Sequence, residues 1–170
     1  MKKAVYASLA FVLVAACACG RTSSEPEIPQ LRRVEAAGWS LLVPEGWPQV
    51  SPGLFVGKDN VHVLVSLREN PDPLESLAEL NVADLLESHA DYEVLERRMG
   101  RHDGGASQTV VGRFTTLAGT QVTQMTVVVD GGKRKAVMTF AARRSQYAAA
   151  QETFLKIAAS FTFIEGPDGG

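Results

Sequence analysis

Few side chains in this chain of 170 residues are spaced for chemistry. It carries two cysteines, Cys17 and Cys19, and three histidines, His62, His89 and His102. A helical metal pair needs histidines four residues apart, and a Cys/His site needs ligands at short repeated spacing. Neither arrangement occurs, so the histidines read as solvated or locally bonded side chains. Asp72, Glu75, Glu79 and Asp84 gather carboxylates around one segment. A hydrolase needs two carboxylates at a set separation in a cleft, or a nucleophile beside a base; this spacing suits a wet, acidic helix surface instead. Ser107 and Ser145 lack a Gly-x-Ser-x-Gly context. Gly104-Gly105 and Gly131-Gly132 do not stand between a strand and a helix start, so they are turns rather than phosphate loops. The expectation is a non-enzyme with no catalytic, cofactor-binding or metal-binding residue.

The chemistry that does stand out is at the start of the chain. Lys2 and Lys3 precede an apolar run from Ala4 to Ala16, followed by Cys17. Those 13 residues fall short of the roughly 20 that span a bilayer and form a secretory signal sequence. Val14-Ala15-Ala16-Cys17 resembles the lipobox of bacterial lipoproteins. The resemblance implies that the Cys17 thiol receives a diacylglycerol and that the chain is cut before it. Cys19 follows Ala16-Cys17-Ala18 and lacks the aliphatic residue three back. A plain cleaved signal would leave both cysteines unexplained. Two or three acyl chains, at about 0.8 kcal/mol per buried methylene, make desorption negligible. The protein is therefore expected in the cell envelope, lipid-anchored at Cys17. Residue 18 is alanine, which by resemblance to Gram-negative sorting places it on the outer membrane, facing the periplasm, if the host is Gram-negative.

Removing Lys2 and Lys3 leaves 15 basic against 19 acidic residues, a net charge of about −4. That balance gives no electrostatic case for nucleic acid. With Cys17 taken by lipid, no disulfide inside the domain is possible. The chain divides into a signal peptide (1–16), a flexible lipid-anchored tether (17–33), one domain (34–164) and a disordered tail (165–170), and we expect a monomer.

Within the domain, Trp39–Val43 reads as a strand stopped by Pro44, and Leu54–Gly57 as a short second one. Val61, Val63, Val65 and Leu67 alternate with His62, Leu64, Ser66 and Arg68 in a third. Leu64 breaks the polar side, so a partly covered second face is expected. A helix over Leu74–His89 follows from the stripe Leu74, Leu77, Ala78 and Leu85, with Asn81 predicting an irregular middle. Tyr92–Arg101, Ala106–Leu117, Gln121–Val129 and Lys133–Ala141 form a meander. Its last hairpin turns at Asp130-Gly131-Gly132, and such short connections require antiparallel pairing. A final helix over Ser145–Ala159 is predicted to carry Tyr147, Phe154, Leu155 and Ala158 on its apolar stripe, with Ser145 as cap. Ser160–Phe163 then docks the end. The fold class is α+β, a twisted antiparallel sheet packed with helices.

Two further features have ordinary readings. Lys133-Arg134-Lys135, with Arg143 and Arg144, could form a basic patch for anionic headgroups; solvated strand ends account for it as well. Trp39 and Trp47 are expected in or near the core rather than on an exposed platform.

Laid out in this order, the domain resembles the PsbP/DcrB-like family of small exported proteins, which includes LpqN-like lipoproteins. The resemblance rests on Trp39-Ser40-Leu41-Leu42-Val43-Pro44-Glu45-Gly46-Trp47, the Val61–Leu67 strand, Tyr92-Glu93-Val94-Leu95, the hairpin ending at Gly131-Gly132, and a final helix running into Ser160-Phe161. It covers about residues 34–163. It implies an α/β/α sandwich with the sheet between helices, and assembly or accessory roles like that of the photosystem II relative. It brings no functional residue with it. The functional expectation is an accessory or assembly factor that binds an envelope protein partner. The alternative is a module that holds a small apolar or lipid ligand between sheet and helix.

Overall fold

The computed structural model describes residues 29–69, 72–102 and 105–164. The predicted signal, Cys17, Cys19 and the tail from residue 165 lie outside the described residues. In chain order the strands are β1 (Leu31–Ala36), β2 (Trp39–Pro44), β3 (Gln49–Ser51), β4 (Leu54–Val56), β5 (His62–Glu69), β6 (Glu93–His102), β7 (Gly105–Thr115), β8 (Gln121–Asp130), β9 (Arg134–Arg143) and β10 (Thr162–Phe163). Helix α1 (Leu74–Ser88) follows β5, and α2 (Arg144–Ala159) continues directly from β9.

Seven strands form one antiparallel sheet in the order β3-β4-β5-β9-β8-β7-β6. Alternation assigns its two faces. Met125 pairs with Phe140, Val127 with Met138 and Val129 with Ala136, and all six point into the main core. There they meet Phe154 and Ile157 of α2 and the small sheet β1-β2-β10, through Leu41 and Val43. Phe55, Phe140, Phe154 and Phe161 are fully buried in this layer, each contributing about 1.5–3 kcal/mol over an exposed side chain. The opposite face packs Val128 and Val137 against Leu74, Leu77 and Ala78 of α1, and Val110 and Tyr92 against Val82. At Gly112 the Tyr92 phenol occupies the space a Cβ would take, so the glycine lets the ring lie flat on β7.

The expected α+β architecture, with helices on both faces of the sheet, is present. Several local expectations need correction. Leu31–Arg33 belong to β1 rather than to a tether, since all of Leu31–Ala36 pairs with β2. Strand β3, exposed throughout, carries no hydrophobic signal and was not expected. Helix α1 is regular: Asn81 turns back to donate from Nδ2 to the Leu77 carbonyl at 2.8 Å. Helix α2 begins at Arg144 with Arg143 in the cap position and no side-chain cap bond, so Ser145 is not the cap. Leu155 is 43% exposed and Ile157 takes its place in the core, because Phe154, Ile157 and Ala158 share the buried stripe. Leu64 is 40% exposed, since α1 packs over β7 and β8 and leaves β5 open.

Candidate functional site

Three open cavities lie together at one end of the large sheet. Three elements build that end: the connection Thr116–Thr120 between β7 and β8, the start of α2, and a 3-10 turn, Lys58–Asn60. A cleft of about 480 Å³ is walled by Thr120, Gln121, Arg143, Arg144 and Ser145. Beside it, a cavity of about 230 Å³ adds Asn60, His62, Thr116 and Val122. A third, of about 240 Å³, adds Asp91, Glu93, Arg113 and Phe114. Thr120, Gln121, Arg143 and Arg144 are walls common to neighbouring cavities.

Each wall is fixed by the pairing behind it. Val122 faces Arg143 and His62 faces Ala141 in the ladder, which sets the Arg143 side chain beside Val122. Its guanidinium is exposed. One residue on, Arg144 Nη1 donates to Gln121 Oε1 at 3.2 Å. Arg113 is held by Glu93, with Nε at 2.8 Å and Nη2 at 2.6 Å from Oε2. The Thr116–Thr120 connection is internally bonded. The Gly119 amide donates to the Thr116 carbonyl at 2.8 Å and the Thr120 amide to Thr116 Oγ1 at 3.2 Å. Its tip, Leu117, is wholly exposed. Asp91 accepts from the Thr115 amide at 3.1 Å. Hydrogen bonds from the Thr115 hydroxyl, then from its backbone, hold the Asp91 carboxyl below the usual carboxylate range. Asp59 and Asn60 adopt φ of 59° and 63°, a left-handed conformation that Asp and Asn tolerate through local bonding.

The chemistry available here is recognition of negative charge, through arginines and hydroxyls. Among the described residues no group of three or more His, Cys, Asp or Glu is placed to hold a metal. His62 Nδ1 donates to the Asn60 carbonyl at 2.8 Å, His89 stacks on Phe114 with ring centres 4.0 Å apart, and His102 Nε2 donates to the Phe161 carbonyl at 2.7 Å. The carboxylates of α1 stay on its exposed side, with Glu79 paired to Arg97. Ser107 is buried on β7 and Ser145 exposed on α2. Trp39 is buried and Trp47 packs against the core, as expected. Burial pushes the Tyr147 phenol above its ordinary pKa, with Glu96 adding to the rise and Arg98 opposing it. Tyr147 Oη has no hydrogen-bond partner among the described residues.

The basic residues do not form one patch. Lys133–Lys135 and Arg143–Arg144 lie at opposite ends of β9, about 30 Å apart for a strand of that length. Sequence reasoning missed the cavities because Thr120 and Gln121 reach Arg143 and Arg144 only through the β8–β9 register.

No protein-family model and no curated protein sequence matches the chain. Solved structures do. PsbP of the cyanobacterium Synechocystis (CyanoP) superposes with TM-score 0.63 at 16% identity, covering 86% of this chain and 97% of that one. PA94 of Pseudomonas aeruginosa, a protein of unknown function, gives 0.56 at 13%, covering 81% and 97%. LpqN of Mycobacterium tuberculosis, involved in cell envelope biogenesis, gives 0.56 at 15%, covering 80% and 91%. The fold of this chain is the PsbP-like one.

Proposed function

We propose that this protein is a lipid-anchored accessory factor of the cell envelope that binds a protein partner and is not a catalyst. The observation that carries the reading is where space is and is not. The layer between the large sheet and α2 is filled by Phe140, Phe154, Phe161, Met125, Met138 and Ile157. An apolar ligand has no room there, which counts against the alternative of a lipid or small apolar molecule between sheet and helix. The cavities described lie outside the core, with walls rich in arginine and hydroxyl groups.

A partner could engage β6, a ten-residue edge strand bonded on one side only. Leu95 and Met99 are about half exposed along it, among Arg97, Arg98 and Arg101. A free edge offers backbone donors and acceptors to an added strand, and the charges guard it against indiscriminate pairing. The envelope role of LpqN supports the location, as does the signal ending at Cys17. Ala18 supports the outer membrane, facing the periplasm, in a Gram-negative host.

Cross-linking in intact cells, followed by mass spectrometry, tests the reading. One dominant protein partner is expected, lost when the globular domain is removed and the anchor kept. A stoichiometric small ligand with no protein partner would overturn it.

A further inference from the structure

We propose that the end of the sheet carrying Leu117, Arg143 and Arg144 is a docking face for an anionic lipid surface. Leu117 enters the bilayer interface and the two arginines meet headgroup phosphates. The orientation rests on the lipid anchor at Cys17 proposed above.

Three observations converge on this end. The first is where the chain enters the domain. Leu31 pairs with Pro44, and Arg32 Nη2 donates to the Trp47 carbonyl at 3.1 Å. Trp47 in turn lies against Gly57, where a Cβ would run into its indole. Gly57 leads into the Lys58–Asn60 turn, whose Asn60 shares a cavity with Arg143. The other end of β1 behaves oppositely. Gly38, at the β1–β2 turn, sits against the Arg134 guanidinium at the far end of β9. The chain from Cys17 therefore joins the domain at the Arg143 end. Thirteen residues lie between Cys17 and Leu31, so an anchor at Cys17 attaches to the domain at this end.

The second observation is Leu117. A leucine wholly exposed at the tip of a hydrogen-bonded loop buries nothing in the domain. Its apolar side chain is free for the interface.

The third is charge. Arg143 and Lys58 have no side-chain partner among the described residues, and Arg144 bonds only the neutral Gln121. Of the acids at this end, Glu93 is held by Arg113 and Asp91 by Thr115, leaving Asp59 and Glu45 without an ion pair among the described residues. Three available cations thus collect on one face of a mature chain that is net negative. Each contributes attraction to an anionic leaflet that falls off within a Debye length.

The probe is a vesicle of phosphatidylcholine, with or without phosphatidylglycerol, containing brominated lipid as a quencher. Acylated protein carrying Leu117→Trp is reconstituted, with the unsubstituted protein supplying the baseline of Trp39 and Trp47. The introduced indole should be quenched on anionic vesicles and released by salt or by Arg143→Glu with Arg144→Glu. Independently, the otherwise unsubstituted chain from residue 17, made lipid-free by Cys17→Ser, should partition onto anionic vesicles at least about tenfold better than onto neutral ones. The arginine replacements should abolish that preference. An acylated protein that stays on vesicles with an unquenched indole would overturn the docking face and leave the anchor standing. A natural protein without acyl mass, whose Cys17→Ser chain still prefers anionic vesicles, would remove the anchor and uphold the face. Arginine replacements that spare vesicle contact but erase a protein cross-link would reassign the surface to a protein partner and sink the proposal.

Discussion

The two ends of β9 carry similar residues and have opposite environments. At one end stand Lys133, Arg134 and Lys135, at the other Arg143 and Arg144. Lys135 is only 3% exposed, with Nζ 3.9 Å from Asp130 Oδ1, and it has further interactions. Arg143 stands in the open as a cavity wall. A run of positive charge in a sequence thus says little until register is known. Lys135 shares a face with Val137, which packs under α1, so its charge serves the fold. Arg143 lies on that same alternating face but beyond the cover of α1, where none of the described residues pairs with it.

The largest way to break this comparison is to reverse the charge at the buried end. Lys135→Glu should destabilise the protein by about 3 kcal/mol, because a buried ion pair is replaced by adjacent like charges. Arg143→Glu should change stability by no more than about 0.5 kcal/mol. Urea denaturation of the two variants measures the contrast, and equal losses would mean that the ends are not different in kind.

A smaller effect is expected at Gly112. Gly112→Ala drives a methyl into the Tyr92 ring and should cost about 1–3 kcal/mol. Thermal unfolding would register it.

The strands that set the comparison could be read directly from residue order. Val61, Val63, Val65 and Leu67 recur at every second position, and so do Met125, Val127 and Val129 and, on the paired strand, Ala136, Met138 and Phe140. Asp130-Gly131-Gly132 marked the turn between the latter two. Strand β1 was hidden because Leu31-Arg32-Arg33-Val34-Glu35-Ala36 is only half buried, its order coming from the ladder to β2 rather than from its own pattern. Leu155 was read onto the stripe because it adjoins Phe154, but the covered side is set by Phe154, Ile157 and Ala158, three and four residues apart. The candidate site was least visible. Its walls come from β5 to β9, the start of α2 and the connections between them, and only pairing over long sequence separations assembles them. Leu117 had been read as the end of a strand, whereas it is an exposed loop tip.

Acid and base provide finer tests. The depressed Asp91 carboxyl stabilises the loop above its unfolded pKa of 3.8, and that contribution is lost as pH falls through the lower folded value. Protection of the Thr115 amide, measured relative to its intrinsic exchange rate at each pH, should therefore fall in acid, and Asp91→Asn should flatten the dependence. The Tyr147 phenol is raised above 10.0. Its contribution is complete below that value and lost as pH rises through the folded pKa. Alkaline unfolding should begin later in Tyr147→Phe, monitored by circular dichroism. At neutral pH that replacement should be neutral or slightly stabilising, since it removes a buried hydroxyl with no partner.

Both the accessory role and the orientation of the domain depend on the chain being held by lipid at Cys17. Intact-mass spectrometry of the protein extracted from membranes of its own host tests that claim most directly. The expected product is a chain beginning at Cys17, lacking residues 1–16 and carrying added acyl mass, with Cys17→Ser abolishing the addition and Cys19→Ser leaving it in place. A soluble product without acyl mass, or acylation that survives Cys17→Ser, would contradict it.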